Sequence, residues 1–375
     1  MLRRLVRRPF DDELTSSAWV RTSRRIGLPV ATVTKAILGR KWYPGFFQGG
    51  HLMETAECTN TTAESLLDNH TVFPYATAFY SAAASRAARV SALSTGTSAR
   101  AIGAVTQSAS DFVPRKRWCP HCARDDLEAW GESYWRRSHN LPGVLVCLAH
   151  AEPLRESELA TCGPGTWSVL LPHECGKGQA LALRPTAFLT EVARQSLELL
   201  RQEPRDGSTA WYRRELYRLG LVTPAREVNV VRLIDWVKGI ADRDLPLLGF
   251  RQDLELAWLP LMVRPSVDVP FIPLKHAVLR AALNLGSERA GRVLDHVPPG
   301  LRPHVHLQDA KFAEQLRELA KRRLLIGERV GVTEALSEIG CWESYRHARD
   351  RFPLVVRELK RLQRSGLSLR RVKRS

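Results

Sequence analysis

Apolar residues recur at three- and four-residue spacing along much of the chain, which predicts a protein built mainly of helices. In the first such stretch, 11–26, Leu14, Ala18, Val20 and Ile26 fall near one face. Asp11, Asp12 and Glu13 lead in and Arg24-Arg25 close, as a helix dipole favours. Gly27 ends this helix, and Leu28-Pro29 opens a second through Leu38 that stops at Gly39. Two helices joined by Gly-Leu-Pro form a helix-turn-helix-like pair. Thr61-x-x-Glu64 reads as a capping box before Leu66 and Leu67. The Ala- and Ser-rich stretch from Tyr80 to Gly96 also reads as helix. Between Thr186 and Arg201, the residues Phe188, Leu189, Val192, Leu197 and Leu200 mark an apolar face. Helical patterns continue from Trp211, through Ile234, Val237 and Ile240, and from Ala310 to Leu325, with their apolar stripes read as core.

Breaks in this pattern suggest the domain organisation. A chain of 375 residues exceeds what one hydrophobic core usually organises. Small polar residues run from Ser94 to Ser110, Pro204-Arg205-Asp206-Gly207 is a turn, and Pro298-Pro299-Gly300 interrupts the chain again. The expected division is an N-terminal helical part (1–110), a central ribbon (111–180), a helical part (181–298) and a C-terminal helical part with a basic tail (299–375).

The ribbon departs from helical periodicity and carries the chemistry. Cys119 and Cys122 form one pair with a two-residue spacer, and Cys147 and His150 form another. Two such pairs within one window are the spacing of a tetrahedral zinc site. Three thiolates and an imidazole fill all four positions, so the metal is structural and activates no water. Each short pair is expected to sit in a turn. A second ligand set, Cys162, His173 and Cys175, offers only three groups with a long gap after the first.

Between the two pairs stand Gly131-Glu132-Ser133-Tyr134-Trp135-Arg136-Arg137 and then Leu141-Pro142. Upstream are Asp12-Glu13-Leu14 and His70-Thr71-Val72-Phe73-Pro74. In these motifs and their order the chain resembles the TnsD/TniQ target-site selectors of transposons. Their ribbon reads C-P-x-C, G-E-x-Y-W, a basic-aromatic turn, and L-P-x-x-x-x-C-x-x-H. The likeness is strong from about Asp11 to Leu154 and weaker after Thr186. It implies a mostly helical, multi-domain protein that binds a chosen DNA site and presents itself to an AAA+ ATPase regulator of the TnsC kind, which then brings the transposase. Some relatives read an attachment site directly, and others dock on an RNA-guided CRISPR complex. The resemblance favours the direct readers. A zinc-ribbon transcription regulator is a further alternative, although it would not explain the ordered motifs.

Charge agrees with a polyanionic partner. Lys and Arg number 56 against 39 Asp and Glu, giving +17 and a pI near 10.1. Such an excess favours nucleic acid, since each neutralised phosphate releases counterions. Candidate DNA contacts are Arg40 and Lys41 beside Trp42 and the patch Trp135, Arg136 and Arg137; the resemblance adds Lys275 and His276, where relatives carry a basic pair, and Arg346, Arg349 and Arg351 on a stretch that resembles the family's recognition helix. Arg370, Arg371, Lys373 and Arg374 in the tail read as a phosphate clamp. The chain has no phosphate loop, dinucleotide fingerprint or nucleophilic triad, so no enzyme is expected. Adjacent carboxylates such as Asp11 to Glu13 cannot converge on two metals, which argues against a transposase or nuclease. A basic start that meets Pro9 and three carboxylates is no secretory signal. No run suits a membrane span, and seven cysteines with four committed to metal fit a reducing compartment. A cytoplasmic location follows.

Overall fold

The computed structural model describes residues 5–41, 51–95, 115–160, 170–176, 178–201, 209–222, 228–241, 243–250, 255–264, 271–294, 307–325, 331–347, 349 and 352–364. The protein is mostly helical and forms two compact units. One comprises 1–209 with 234–282, and the other 210–233 with 283–375.

The first unit opens with α1 (Thr15–Ile26) and α2 (Val30–Leu38). Gly27 and Gly39 end these helices at φ 70° and 74°, a left-handed conformation that glycine adopts without cost. The expected start of α1 at Asp11 is corrected: its first turn holds no carboxylate. Asp12 has φ 63°, and Glu13 bridges the backbone of Arg136 instead. Among the described residues α3 (Leu52–Thr59), α4 (Ala63–His70), α5 (Phe73–Thr77) and α6 (Ala82–Thr95) follow. Thr62, one residue after the expected cap, accepts from the Ser65 amide at the start of α4.

The ribbon contains strand β1 (Arg115–Trp118), helix α7 (Pro120–Trp130) and the hairpin β2 (Val146–Cys147) and β3 (Glu152–Pro153). Strands β4 (Arg155–Ala160) and β5 (Gln179–Ala180) complete an antiparallel sheet of order β1-β4-β5. Helix α8 (Ala187–Glu198), capped by the Thr186 hydroxyl, packs against β2. Leu14, Val72 and Tyr75 from the N-terminal helices share one core with Trp118, Trp135, Leu141 and Cys147 of the ribbon and Ala193 of α8. Gly143 makes this seat possible. At φ +79° it lies so close that a Cβ would stand 2.3 Å from Leu274 and 3.2 Å from Val192.

Helices α9 (Thr209–Arg218), α10 (Val230–Ala241), α11 (Trp258–Met262) and α12 (Pro273–Leu294) follow. The second unit ends in a bundle of α13 (Leu307–Leu325), α14 (Val332–Glu338), α15 (Trp342–His347) and α16 (Pro353–Arg364). Leu316, Leu336, Cys341, Val355 and Leu359 fill its core. The buried Asp309 carboxylate accepts from the Leu354 and Val355 amides at 2.7 and 2.8 Å, capping α16. Gly340, at φ 70°, turns the chain between α14 and α15. No helix among the described residues is long and apolar enough to cross a membrane.

Candidate metal centre and nucleic-acid interface

The four predicted ligands converge. Pro120 opens α7, so Cys119 stands at the helix cap and Cys122 in its first turn, where the expectation had a simple turn. Amide dipoles at a helix start stabilise thiolates. Cys147 ends β2, and His150 lies in the turn before β3, with Ala151 at φ 53°. His150 Nδ1 is 3.6 Å from the Cys119 sulfur, 3.4 Å from that of Cys122 and 3.6 Å from that of Cys147. The Cys122 and Cys147 sulfurs are 3.7 Å apart, and all four ligand atoms lie within 4.8 Å of one another. A tetrahedral ion with sulfurs at about 2.3 Å has ligand-to-ligand edges of about 3.8 Å. These residues therefore form a largely buried Cys3His cluster dimensioned for a metal such as zinc.

Neighbouring groups complete the site. The outer nitrogen of His150 meets Asp125 at 3.2 Å, and such a carboxylate fixes the ring of a ligating histidine. The Nε2 atom of buried His139 approaches the Cys122 sulfur at 4.0 Å, while burial pushes the ring down to about 4.

Of the second ligand set, Cys162 lies outside the described residues. His173 shares a 2.7 Å hydrogen bond with the Ser133 hydroxyl, and the Cys175 thiol donates to the Leu171 carbonyl. Among the described residues the Cys119 cluster alone brings three or more such ligands together.

The basic motif of the ribbon takes a different role from the expected DNA contact, and the reason is burial. Trp135 is 1% exposed, and its Nε1 donates to Leu170. Its amide donates to Ser17, while its carbonyl accepts from Leu14. Arg136 reaches Asp126 at 2.6 Å, a carboxyl that burial pushes up to about 6, and also the Tyr134 hydroxyl. Arg137 donates to Asp12 and to the carbonyls of Asp68 and Thr71. Both arginines, expected as DNA contacts, are half-buried and paired within the fold.

The same logic explains the other motifs. Arg21, 1% exposed, makes a two-pronged pair with Glu13 at 2.7 and 2.8 Å, donates to Glu132 at 2.6 Å, and lies 4.0 Å over the Phe10 ring. Burial opposes its charge, but the two carboxylates outweigh that and raise it. In the His70-to-Pro74 motif, His70 Nδ1 donates to the Glu13 carbonyl, and the His70 carbonyl accepts from Thr15. Burial pushes His70 down to about 4, so the ring is neutral. Arg117 donates to Val144 and Leu141, and burial pushes it down to about 10. Sequence reasoning missed Arg21 and Glu132 as a structural pair, because their partners lie far apart in the chain.

The remaining basic candidates divide by exposure. His276 is buried, stacked on Phe79 at 3.6 Å and pushed down to about 3, which removes it as a charged contact. Lys275 sits 5.7 Å from the Trp258 ring and 5.8 Å from that of Phe271. Arg40 and Lys41 are exposed, with Arg40 against His51. Arg346 and Arg349 are exposed, but α15 spans only six residues, and Arg346 and His347 both face Glu343 on that helix. Trp42, Arg351, Arg370, Arg371, Lys373 and Arg374 lie outside the described residues.

Comparison with known proteins places the motifs in a family. Residues 5–154 match the TniQ family model, a span that runs from the first residues of unit one to the end of the ribbon core. No curated protein matches the chain. TniQ proteins are non-enzymatic adaptors and DNA-binding proteins, and the domain links the chain to target selection in transposition. With helices, Cys/His cluster and ordered motifs meeting in one core over the matched residues, residues 5–154 form a domain similar to the TniQ family.

Proposed function

We propose that the protein is a DNA-binding target-site selector for transposition, which recognises an attachment site itself and recruits an AAA+ regulator of the TnsC kind. The observation that carries this reading is the TniQ domain over residues 5–154 together with a net charge of +17. Zinc in the Cys119, Cys122, Cys147 and His150 site holds the ribbon, and through its shared core the ribbon holds the N-terminal helices. No position on the metal is left for substrate.

The test is a footprint of the full chain on its source DNA at moderate salt with excess competitor, without any guide complex. One discrete protected segment is expected, since specific binding exceeds nonspecific by about 10³ or more. Uniform protection that sharpens only when an RNA-guided complex is added would overturn direct reading and favour an adaptor.

A further inference from the structure

We propose that the exposed face of α16, carrying Arg357, Lys360 and Arg361, is the surface on which this protein holds the phosphates of duplex DNA. The inference rests on the DNA-binding reading above and assigns it a place.

Three observations carry it. First, Arg357, Lys360 and Arg361 occupy positions i, i+3 and i+4, which share one face of a helix, and all three are exposed. Arg364 follows at i+7 in the sequence. Val355, Leu359 and Leu362 hold the opposite face in the core. Secondly, the helix's one carboxylate is withdrawn: Glu358 is 5% exposed and lies 3.3 Å from Arg317, with Arg361 at 3.0 Å. The outward face is therefore basic without interleaved acid. Thirdly, the amides at the start of α16 are already satisfied by Asp309. A phosphate finds no vacant helix terminus there, which leaves the side of the helix as the anion-binding surface.

Length favours duplex DNA as the partner. Twelve residues extend about 18 Å, enough to lie along a major groove about 12 Å wide, whereas six-residue α15 extends about 9 Å.

The test measures binding of the full chain to a duplex at several salt concentrations. Replacing all three residues, Arg357→Gln, Lys360→Gln and Arg361→Gln, should weaken binding about tenfold or more near physiological salt. The log–log salt slope should flatten by about 2 to 3, since each phosphate contact contributes about 0.9. The double variant Arg357→Gln with Lys360→Gln spares the Arg361–Glu358 pair and should flatten the slope by about 2. Matched and scrambled duplexes should weaken together, because phosphate contacts carry no sequence information. An unchanged slope in the double variant while wild type binds tightly overturns this assignment alone. Wild type that binds no duplex overturns the DNA-binding reading and this inference with it. An RNA duplex that competes as well as DNA overturns DNA as the partner.

Discussion

Arginine has opposite fates in the two units. In the first, Arg21, Arg117, Arg136 and Arg137 are drawn into carboxylates and carbonyls, and together they line a seam between helices and ribbon. In the C-terminal bundle, Arg357 and Lys360 stand outward while the apolar residues of α16 close the core. A run of arginines in sequence is thus no guide to nucleic-acid contact. What separates the cases is whether carboxylates and carbonyls from elsewhere in the chain come to meet the guanidinium. A buried charge without such partners costs several kcal/mol, whereas an exposed one costs little.

The largest expected effect concerns the Cys3His cluster that the first unit closes around. Cys119→Ser removes one of four ligands and a core residue, so the ribbon and the helices sharing its core should unfold together. Metal analysis of the wild type should give about one zinc per chain, with near-UV circular dichroism collapsing on chelation. A metal-free chain with intact tertiary signal would remove the centre from this account.

Next is the buried pair. Arg21→Met leaves Glu13 without its two-pronged partner in the interior, and destabilisation of about 3–5 kcal/mol is expected in urea unfolding. The double variant Arg21→Met with Glu13→Leu should recover much of that loss, because no uncompensated charge remains. Failure to recover would mean that the pair positions Phe10 and the entry to α1 beyond balancing charge. A comparable loss is expected from Gly143→Ala, where a Cβ 2.3 Å from Leu274 combines overpacking with a strained φ.

The sequence exposed the ligands of this unit but hid its arginines, for a physical reason. Cys119, Cys122, Cys147 and His150 are legible because metal geometry is written as short local spacings. Helices such as α2 and α8 are legible because their apolar period and terminal residues are local too. The pairing of Arg137 with Asp12, or of Arg21 with Glu132, joins residues more than a hundred positions apart. Locally, Trp135-Arg136-Arg137 has the composition of a nucleic-acid patch, and only the fold reveals that its tryptophan is buried and its half-buried arginines are paired within the chain. The lead-in to α1 follows the same rule: Asp12 and Glu13 have the composition of helix-start carboxylates, yet the Asp12 carboxylate pairs with Arg137 of the ribbon and the Glu13 carboxylate with Arg21 within α1.

A smaller effect should appear with acid. His70 and His276 are neutral in the fold, lowered by burial to about 4 and about 3, while an unfolded histidine titrates near 6.5. Below about pH 6.5 the unfolded chain binds more protons, so stability present above that pH is lost as pH falls toward 4. Each unit of separation contributes about 1.4 kcal/mol. Acid also strips metal, so the informative comparison is His276→Leu against wild type at saturating zinc. The variant should show a shallower fall in stability between pH 6.5 and 4. Identical slopes would mean that His276 is already protonated or solvated in the fold.

The smallest expected effect lies in the second unit and is the sharpest check on the contrast between the two. Arg357→Gln with Lys360→Gln removes two charges that face solvent, away from the Val355, Leu359 and Leu362 core and from the Asp309 cap. Surface changes clear of such features usually move stability by no more than about 0.5 kcal/mol. Removing like charges at i and i+3 relieves a little repulsion, so the sign of any change should be slightly stabilising. Urea unfolding of the full chain, followed by a probe in the C-terminal bundle, should therefore superimpose on wild type even though the salt dependence of DNA binding has changed. A loss above about 1 kcal/mol would show that these side chains hold the bundle together, and the outward arginines would then belong with the inward ones.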